Sequence, residues 1–374
     1  MKTALITGVH GFIGRNLAAH LNQRPDVRVL RYDLDNTDAE LAAMAAEADV
    51  IFHLAGVNRP QDPSQFSTGN VGLTESLCRV LTERRCRPLV IFSSSIQAEC
   101  DNAYGRSKRR AEEVLRQFAD QSGAALAIFR LKNVFGKWCR PNYNSVVATF
   151  CHHVAHDLPI EISDPDRQLE LIHVDDVIAA FLATMDCPTS VPHPDHINSY
   201  TLTLGDLAGR IQFFHEMRRS LAAPDFSVRF NQQLYSTYLS YLEPSQCEYG
   251  LNVNSDARGS LAEFLKSPTF GQIFVSQTRP GVTRGNHYHH VKTEKFLVLA
   301  GSGLIRLRRI DSDETHEIPV RGADYRVVDI PPGYTHSIAN VGPGEMVTLF
   351  WASEPFDPDR PDTYFLPVEL RAAA

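Results

Sequence analysis

Thr3-Ala4-Leu5-Ile6-Thr7-Gly8-Val9-His10-Gly11-Phe12-Ile13-Gly14 decides the reading of the first half of this chain. A short apolar run, Thr3–Thr7, meets three glycines spaced Gly-x-x-Gly-x-x-Gly, and a helical stretch, Gly14–Leu21, follows at once. Glycines at that spacing allow a tight turn and let the backbone approach a pyrophosphate closely, while the amides at the helix N-terminus stabilise its charge. The spacing predicts a dinucleotide site in which Gly8, Gly11, Phe12, Ile13 and Gly14 lie against the cofactor. Outward from this stretch, Val27–Tyr32, Val50–Leu54, Leu89–Ser93 and Ala125–Arg130 alternate with helical segments such as Arg106–Phe118. That alternation is the signature of βαβ units, so the first half is read as α/β with a Rossmann-type doubly wound parallel sheet.

The second strand ends in Arg31-Tyr32-Asp33-Leu34-Asp35. An acid there, Asp33, favours a free ribose hydroxyl, whereas Arg31 or Arg15 favours a 2′-phosphate, so NAD and NADP both remain open. The run His53-Leu54-Ala55-Gly56 brings backbone toward the cofactor, with Leu54, Ala55, Gly56 and Asn70 expected in contact with it. Further on, Ser95 ends a strand and Tyr104-Gly105-Arg106-Ser107-Lys108 begins a helix. Tyr104 and Lys108 are four apart and share a helix face. A nearby ammonium favours phenolate and lowers the phenol pKa. The expected roles are Tyr104 protonating an alkoxide, Lys108 tuning it, and Ser95 polarising a carbonyl oxygen.

Beyond about residue 255 the pattern turns all-β, with Gly271–Gln277, Lys295–Ala300, Leu304–Arg309, Tyr325–Ile330 and Glu345–Ala352 split by Gly and Pro turns. Domains are expected at 1–247 and 248–374, with the Tyr-rich Leu234–Pro244 stretch packed near their junction. His287-x-His289, Glu294 and His336 form a set of three imidazoles and one carboxylate, which suits zinc, iron, manganese or nickel. His287 and His289 share a strand face, and Glu294 and His336 are expected from adjoining strands of a closed barrel. These spacings resemble the two motifs of the cupin (jelly-roll) barrels. Arg284-Gly285-Asn286-His287-Tyr288 also resembles a segment of sugar-nucleotide 3,5-epimerases, in which the His is a base; the ligand role is favoured for His287. His152-His153-x-x-His156 has helical metal spacing but no accompanying acid, and is read as a solvated helix face.

The 374 residues carry 37 Lys plus Arg against 44 Asp plus Glu, a net charge of -7, with no basic stripe to follow a phosphate backbone. Nucleic acid is thereby excluded as the expected partner. No stretch approaches the ~18 apolar residues of a membrane span, so no membrane association is expected. Seven cysteines, odd in number and without Cys-x-x-Cys, read as reduced thiols and predict a cytoplasmic protein.

Residues 1 to about 245 resemble extended short-chain dehydrogenase/reductases acting on nucleotide sugars. The resemblance rests on Gly8/Gly11/Gly14, His53-Leu54-Ala55-Gly56, Ser93-Ser94-Ser95, Tyr104/Lys108, Arg130-Leu131-Lys132-Asn133-Val134-Phe135-Gly136 and His173-Val174-Asp175-Asp176-Val177. Ile96-Gln97-Ala98 stands where 4,6-dehydratases of that family carry an Asp-Glu pair, which argues against dehydration. In the family the Asn133 region and the following loop contact substrate, which here implicates Asn133, Lys137, Trp138, Arg140, Asn142 and Asn144. With the segments Phe135–Ser145, Tyr235–Leu242, Gly285–His287 and Pro361–Leu366, nearly the whole chain is similar to the bifunctional reductase/epimerases of capsule and O-antigen (lipopolysaccharide) biosynthesis. That resemblance implies C3 epimerisation, then NADPH-dependent C4 reduction, of a UDP-2-acetamido-2,6-dideoxy-4-keto-hexose. The implied product is UDP-N-acetyl-6-deoxy-L-talosamine, precursor of UDP-N-acetyl-L-fucosamine, and a zinc ion and a homodimer are implied with it. The alternative is an NAD-dependent nucleotide-sugar 4-epimerase whose cupin half only binds or dimerises.

Overall fold

A computed structural model describes residues 1–60, 62, 64–188 and 197–369. Its strands are β1 (Lys2–Thr7), β2 (Val27–Tyr32), β3 (Val50–His53), β4 (Leu89–Ser95), β5 (Leu126–Leu131), β6 (Asn133–Phe135), β7 (Gln168–His173) and β8 (Tyr200–Thr203). The helices are α1 (Phe12–Leu21), α2 (Asp38–Glu47), the short α3 (Ser64–Phe66), α4 (Leu73–Glu83), α5 (Ala103–Ser122), α6 (Val146–Ala155), α7 (Val174–Asp186), α8 (Leu204–Ser220) and α9 (Arg229–Leu239). The Tyr-rich stretch enters α9, where Leu234 and Tyr238 are fully buried. The second half holds β9 (Val253–Asp256), β10 (Gly259–Ser267), β11 (Gly271–Thr278), β12 (Thr283–Tyr288), β13 (Glu294–Ala300), β14 (Ser302–Arg309), β15 (Thr315–Arg321), β16 (Val327–Ile330), β17 (Tyr334–Asn340), β18 (Met346–Ala352) and β19 (Tyr364–Phe365).

Five strands form one parallel sheet in the order β2-β1-β3-β4-β5. The central strands β1, β3 and β4 are buried almost throughout, as continuous apolar runs must be when helices cover both faces. Two apolar clusters result, one holding α1 and α7 side chains such as Leu17 and Phe181, the other holding α4 and α5 side chains such as Leu77 and Leu115. Strand order reverses at β1, whose neighbours are β2 and β3, and ligands bind such sheets at the carboxyl ends of strands on either side of that switch. The glycine loop leaves β1 there, and Leu54–Gly56 leaves β3 there.

The second half is antiparallel throughout its two sheets, of orders β16-β13-β18-β11-β10-β9 and β15-β14-β17-β12-β19. Phe296, Val298, Val328 and Phe350 from the first sheet and Ile305, Leu307, Val320 and Ile338 from the second share one core, so the sheets face each other. The chain divides into two compact units, residues 1–212 with 232–243 and residues 213–231 with 244–374. Among the described residues no helix is long and apolar enough to cross a membrane, and all seven cysteines are free.

Candidate active site and metal centre

The glycine loop is built to lie close to its surroundings. Gly8 has φ +71°, and a Cβ there would come within 2.7 Å of the Ala55 Cα, while one on Gly14 would sit 2.2 Å from the Gly8 carbonyl oxygen. Helix α1 starts at Phe12 with no side-chain cap and no acid in its first turn, which leaves its N-terminus suited to an anion. The Asp33 carboxylate is turned onto this loop, taking the His10 N–H at 2.7 Å and the Leu34 N–H at 2.9 Å. Arg31 reaches Asn22 at 3.4 Å, and Arg15 lies 5.1 Å over the Trp138 ring. Gly56 backbone rests against the next part of the site, because a Cβ on it would lie 2.9 Å from Asn70 Oδ1 and 3.3 Å from Lys108 Nζ. A cradle of tight backbone around an open helix N-terminus fits a dinucleotide diphosphate.

Ser95, Tyr104 and Lys108 converge from the end of β4 and the first turns of α5. Asn102 caps α5 by accepting the Gly105 N–H at 2.8 Å. Tyr104 hydrogen-bonds Ser95, and burial pushes the phenol above its usual value. This differs from the sequence expectation that Lys108 lowers it. The reason lies in where the amine goes: Lys108 Nζ donates to the Ser93 carbonyl at 3.0 Å, and burial lowers the ammonium to about 8.

Neighbouring residues brace this region, Glu112 among them a position that the motifs did not flag. Tyr104, Lys108 and Glu112 follow one another every four residues along α5. The fully buried Glu112 accepts Ser94 Oγ at 2.5 Å and Arg130 at 2.9 and 2.7 Å, and Arg116 lies 3.2 Å away. Arg130 also pairs with Glu99, the nearest acid in the turn where dehydratases place theirs. Asn70 sits in a π-helical turn, Ser67–Gly72. Its amide accepts the Val57 N–H at 2.7 Å and donates to the Val57 carbonyl and Ser107 Oγ, so the side chain fastens a loop to α5. His53 lies between Thr7 and Thr74 hydroxyls, each 2.9 Å away, and burial lowers it to about 3, so it stays neutral.

Several side chains of the expected substrate loop are already partnered. Lys137 pairs with Asp175 at 3.1 Å, Arg140 lies 5.2 Å over the Tyr143 ring, and Asn133 donates to the Glu170 carbonyl. Asn142 bonds His153 and Thr149, whereas Asn144 is exposed. Trp138 is exposed at φ +69°, and besides Arg15 a second cation, Lys137, stands 5.4 Å from its ring. The reading of His152, His153 and His156 as a solvated face is corrected. They are half-buried on and beside α6, with the His152 and His156 rings tilted against each other at 4.3 Å and His153 bonded to the Pro159 carbonyl.

In the second unit, ligand atoms of His287, His289, Glu294 and His336 all lie within 4.8 Å of one another. His287 on β12 is registered opposite His336 on β17. Glu294 comes from β13 in the facing sheet, which corrects the expectation of adjoining strands. His289 follows the end of β12, and His290 packs away from the cluster against Tyr288 and Tyr364. His289 Nε2, His336 Nε2 and Glu294 Oε2 are buried with no hydrogen-bond partner, although both imidazole nitrogens lie 3.1–3.3 Å from that oxygen. Burial, then neighbouring His336, lowers His287 to about 4, the neutral form that binds a cation. Buried lone pairs aimed at one another fit a divalent cation of borderline softness.

A parallel sheet whose switch point carries an open glycine loop is the architecture of dinucleotide-binding enzymes. Residues 4–199 match the NAD dependent epimerase/dehydratase family, and residues 254–364 match the polysaccharide biosynthesis C-terminal domain. The chain is 44% identical over 362 residues to UDP-2-acetamido-2,6-beta-L-arabino-hexul-4-ose reductase of Pseudomonas aeruginosa, covering 96% of this chain and 97% of that one. The crystal structure of the capsular polysaccharide assembling protein CapF from Staphylococcus aureus superposes with a TM-score of 0.90 at 43% identity, covering 98% and 100% of the two chains. The spore coat polysaccharide biosynthesis protein SpsL of Bacillus subtilis matches over 124 residues at 28% identity, 30% of this chain and 82% of that protein. The chain belongs to the NAD dependent epimerase/dehydratase family, in its CapF-like group. Membership implies a nicotinamide cofactor.

Proposed function

We propose that the protein converts a UDP-2-acetamido-2,6-dideoxy-4-keto-hexose, by C3 epimerisation and then NADPH-dependent C4 reduction, into UDP-N-acetyl-6-deoxy-L-talosamine for capsule or O-antigen synthesis. The observation that carries this reading is the joining, on one chain, of a Ser95/Tyr104/Lys108 cluster and a converged His287/His289/Glu294/His336 set. Identity to the Pseudomonas reductase over nearly the full chain supports the substrate. Residues 1–247 are assigned the reduction, and 248–374, as a cupin-type domain, the epimerisation. The seven free cysteines suit a reducing cytoplasm, and exposed Val253 and Phe264 suit a homodimer.

When bound, the nicotinamide supplies a hydride to C4. Gly8–Gly14 and the uncapped α1 N-terminus would hold its diphosphate. Tyr104, kept protonated by burial, donates its phenolic proton to the C4 oxygen as charge develops there, and Ser95 holds that oxygen in line. Lys108, bonded to the Ser93 carbonyl, braces the end of β4 beside Ser95, and the Tyr104 phenolate regains its proton from solvent. Lys137, Trp138 and Arg140 line the route of the UDP moiety.

In the other unit, three imidazoles and Glu294 would hold zinc, which supplies Lewis acidity toward a ketone oxygen. His287 serves there as ligand. The order follows from carbonyl chemistry, because the C4 ketone acidifies the C3 hydrogen and its reduction ends that acidity.

Full-length Tyr104→Phe tests the assignment. With 4-keto UDP-sugar and NADPH in deuterium oxide, it is expected to incorporate deuterium at C3 while oxidising NADPH at least a hundredfold more slowly, a loss of about 10²–10⁴ being typical for a general acid. Normal turnover by the variant, or absence of C3 exchange in the wild type, overturns the reading. Product formation without net NADPH consumption identifies a 4-epimerase instead.

A further inference from the structure

His289 and the turn that follows it are held by a residue outside the set, Asp362, some 70 residues further along the chain. Asp362 precedes β19, the edge strand that pairs with β12 through His287 opposite Phe365 and Tyr288 opposite Tyr364. Its carboxylate accepts three successive backbone N–H groups, His290 at 2.9 Å, Val291 at 2.9 Å and Lys292 at 2.8 Å. Its backbone carbonyl accepts His289 Nδ1–H at 2.5 Å. The two contacts act on different parts of the centre. The carboxylate shapes the turn between β12 and β13, which sets the spacing from His287 and His289 to Glu294. The carbonyl fixes the His289 tautomer, leaving a lone pair on Nε2, the atom found buried without a partner.

Asp362 is itself tied down. Lys292 Nζ donates to the Pro361 carbonyl at 2.6 Å and to Thr363 Oγ1 at 3.2 Å. Downstream, the Leu366 N–H reaches the Asn286 carbonyl at 2.9 Å, the Val368 N–H reaches Asn286 Oδ1 at 3.1 Å, and Thr335, beside His336, donates to the Leu366 carbonyl. Residues 361–368 thus bond to β12, β17 and the turn after β12, which together carry three of the four residues. Asp362 has φ +40°, a conformation that Asp and Asn tolerate better than other side chains.

We propose that Asp362 is a positioning residue for the metal centre, its carboxylate and carbonyl together orienting His289 and setting the distance to Glu294. The proposal rests on the metal reading above. Partners that orient an imidazole from behind govern how tightly the ion is held, and losing one weakens affinity about 10–100-fold.

The test uses full-length protein and the variants Asp362→Asn, which keeps size and backbone preference, and Asp362→Ala. Zinc affinity is measured by competition with a chromophoric chelator, and thermal unfolding of the metal-free proteins is followed in parallel. Both variants keep the backbone carbonyl but lose the carboxylate that holds it in place against the 290–292 amides, so the expected result is a zinc Kd raised about 10–100-fold, with metal-free unfolding temperatures close to the wild type. Variants that hold zinc as tightly as the wild type overturn the proposal. So does an affinity loss accompanied by unfolding of the metal-free variant, which assigns Asp362 to the fold alone. A wild type that takes up no zinc overturns the metal reading and this proposal with it.

Discussion

Replacing Lys108 by Met should make the protein more stable and its reductase inactive. The ammonium is 5% exposed, donates one hydrogen bond, and is lowered from 10.5 to about 8 by burial, with Glu112 working in the opposite direction. At about 1.4 kcal/mol per pH unit, that gap corresponds to a penalty of ~3 kcal/mol on the charged folded state. Below about pH 8 the lysine is protonated in folded and unfolded chains alike, and the whole penalty applies. Between about 8 and 10.5 the folded chain releases its proton first, so wild-type stability rises with pH. Above 10.5 both states are neutral and the penalty has gone. Met fills a similar volume, and Glu112 retains Arg130 and Arg116. Urea unfolding at pH 7 should show Lys108→Met up to ~3 kcal/mol more stable, or a melting temperature higher by about 6–12 °C. The advantage should shrink toward zero at pH 10.5. Equal stability at pH 7, or an advantage that persists unchanged at high pH, refutes the reasoning.

Other substitutions test separate links. Glu112→Gln should destabilise by ~2 kcal/mol in urea, less than the 3–5 of a fully buried pair because Arg130 and Arg116 are partly solvated. Asn70→Ala removes three hydrogen bonds and leaves Val57 backbone groups unpaired, so a loss of ~2 kcal/mol is expected. Gly8→Ala places a Cβ against Ala55 at φ +71° and should abolish dinucleotide binding in a fluorescence titration.

Much of this fold was legible because its signals are local. The Gly8–Gly14 spacing, the apolar runs of β1–β5 and the strand-like runs of β11, β13, β14 and β18 between Gly and Pro turns each sit within a few residues. The convergence of His287, His289, Glu294 and His336 was legible by type and spacing, but the facing-sheet origin of Glu294 was not, since strand order is a long-range property. Asp362 escaped notice for the same reason, acting across some 70 residues through backbone groups that carry no sequence signature. Glu112 could have been found, because it continues the four-residue step of Tyr104 and Lys108. The direction of the Tyr104 shift could not, because it is set by burial, which the whole fold decides.

The split origin of the four ligands has a mechanical outcome. With His287 and His336 on one sheet, His289 just past the end of β12, and the carboxylate on the other sheet, a cation at their centre would rivet the two layers of the β unit at a point where the apolar core gives way to polar groups. Removing it would leave Glu294 facing nitrogen lone pairs across the gap, so chelation should loosen the layers from that end first. Strand Glu294–Ala300 would then exchange its amide hydrogens before the strands deeper in the sandwich do.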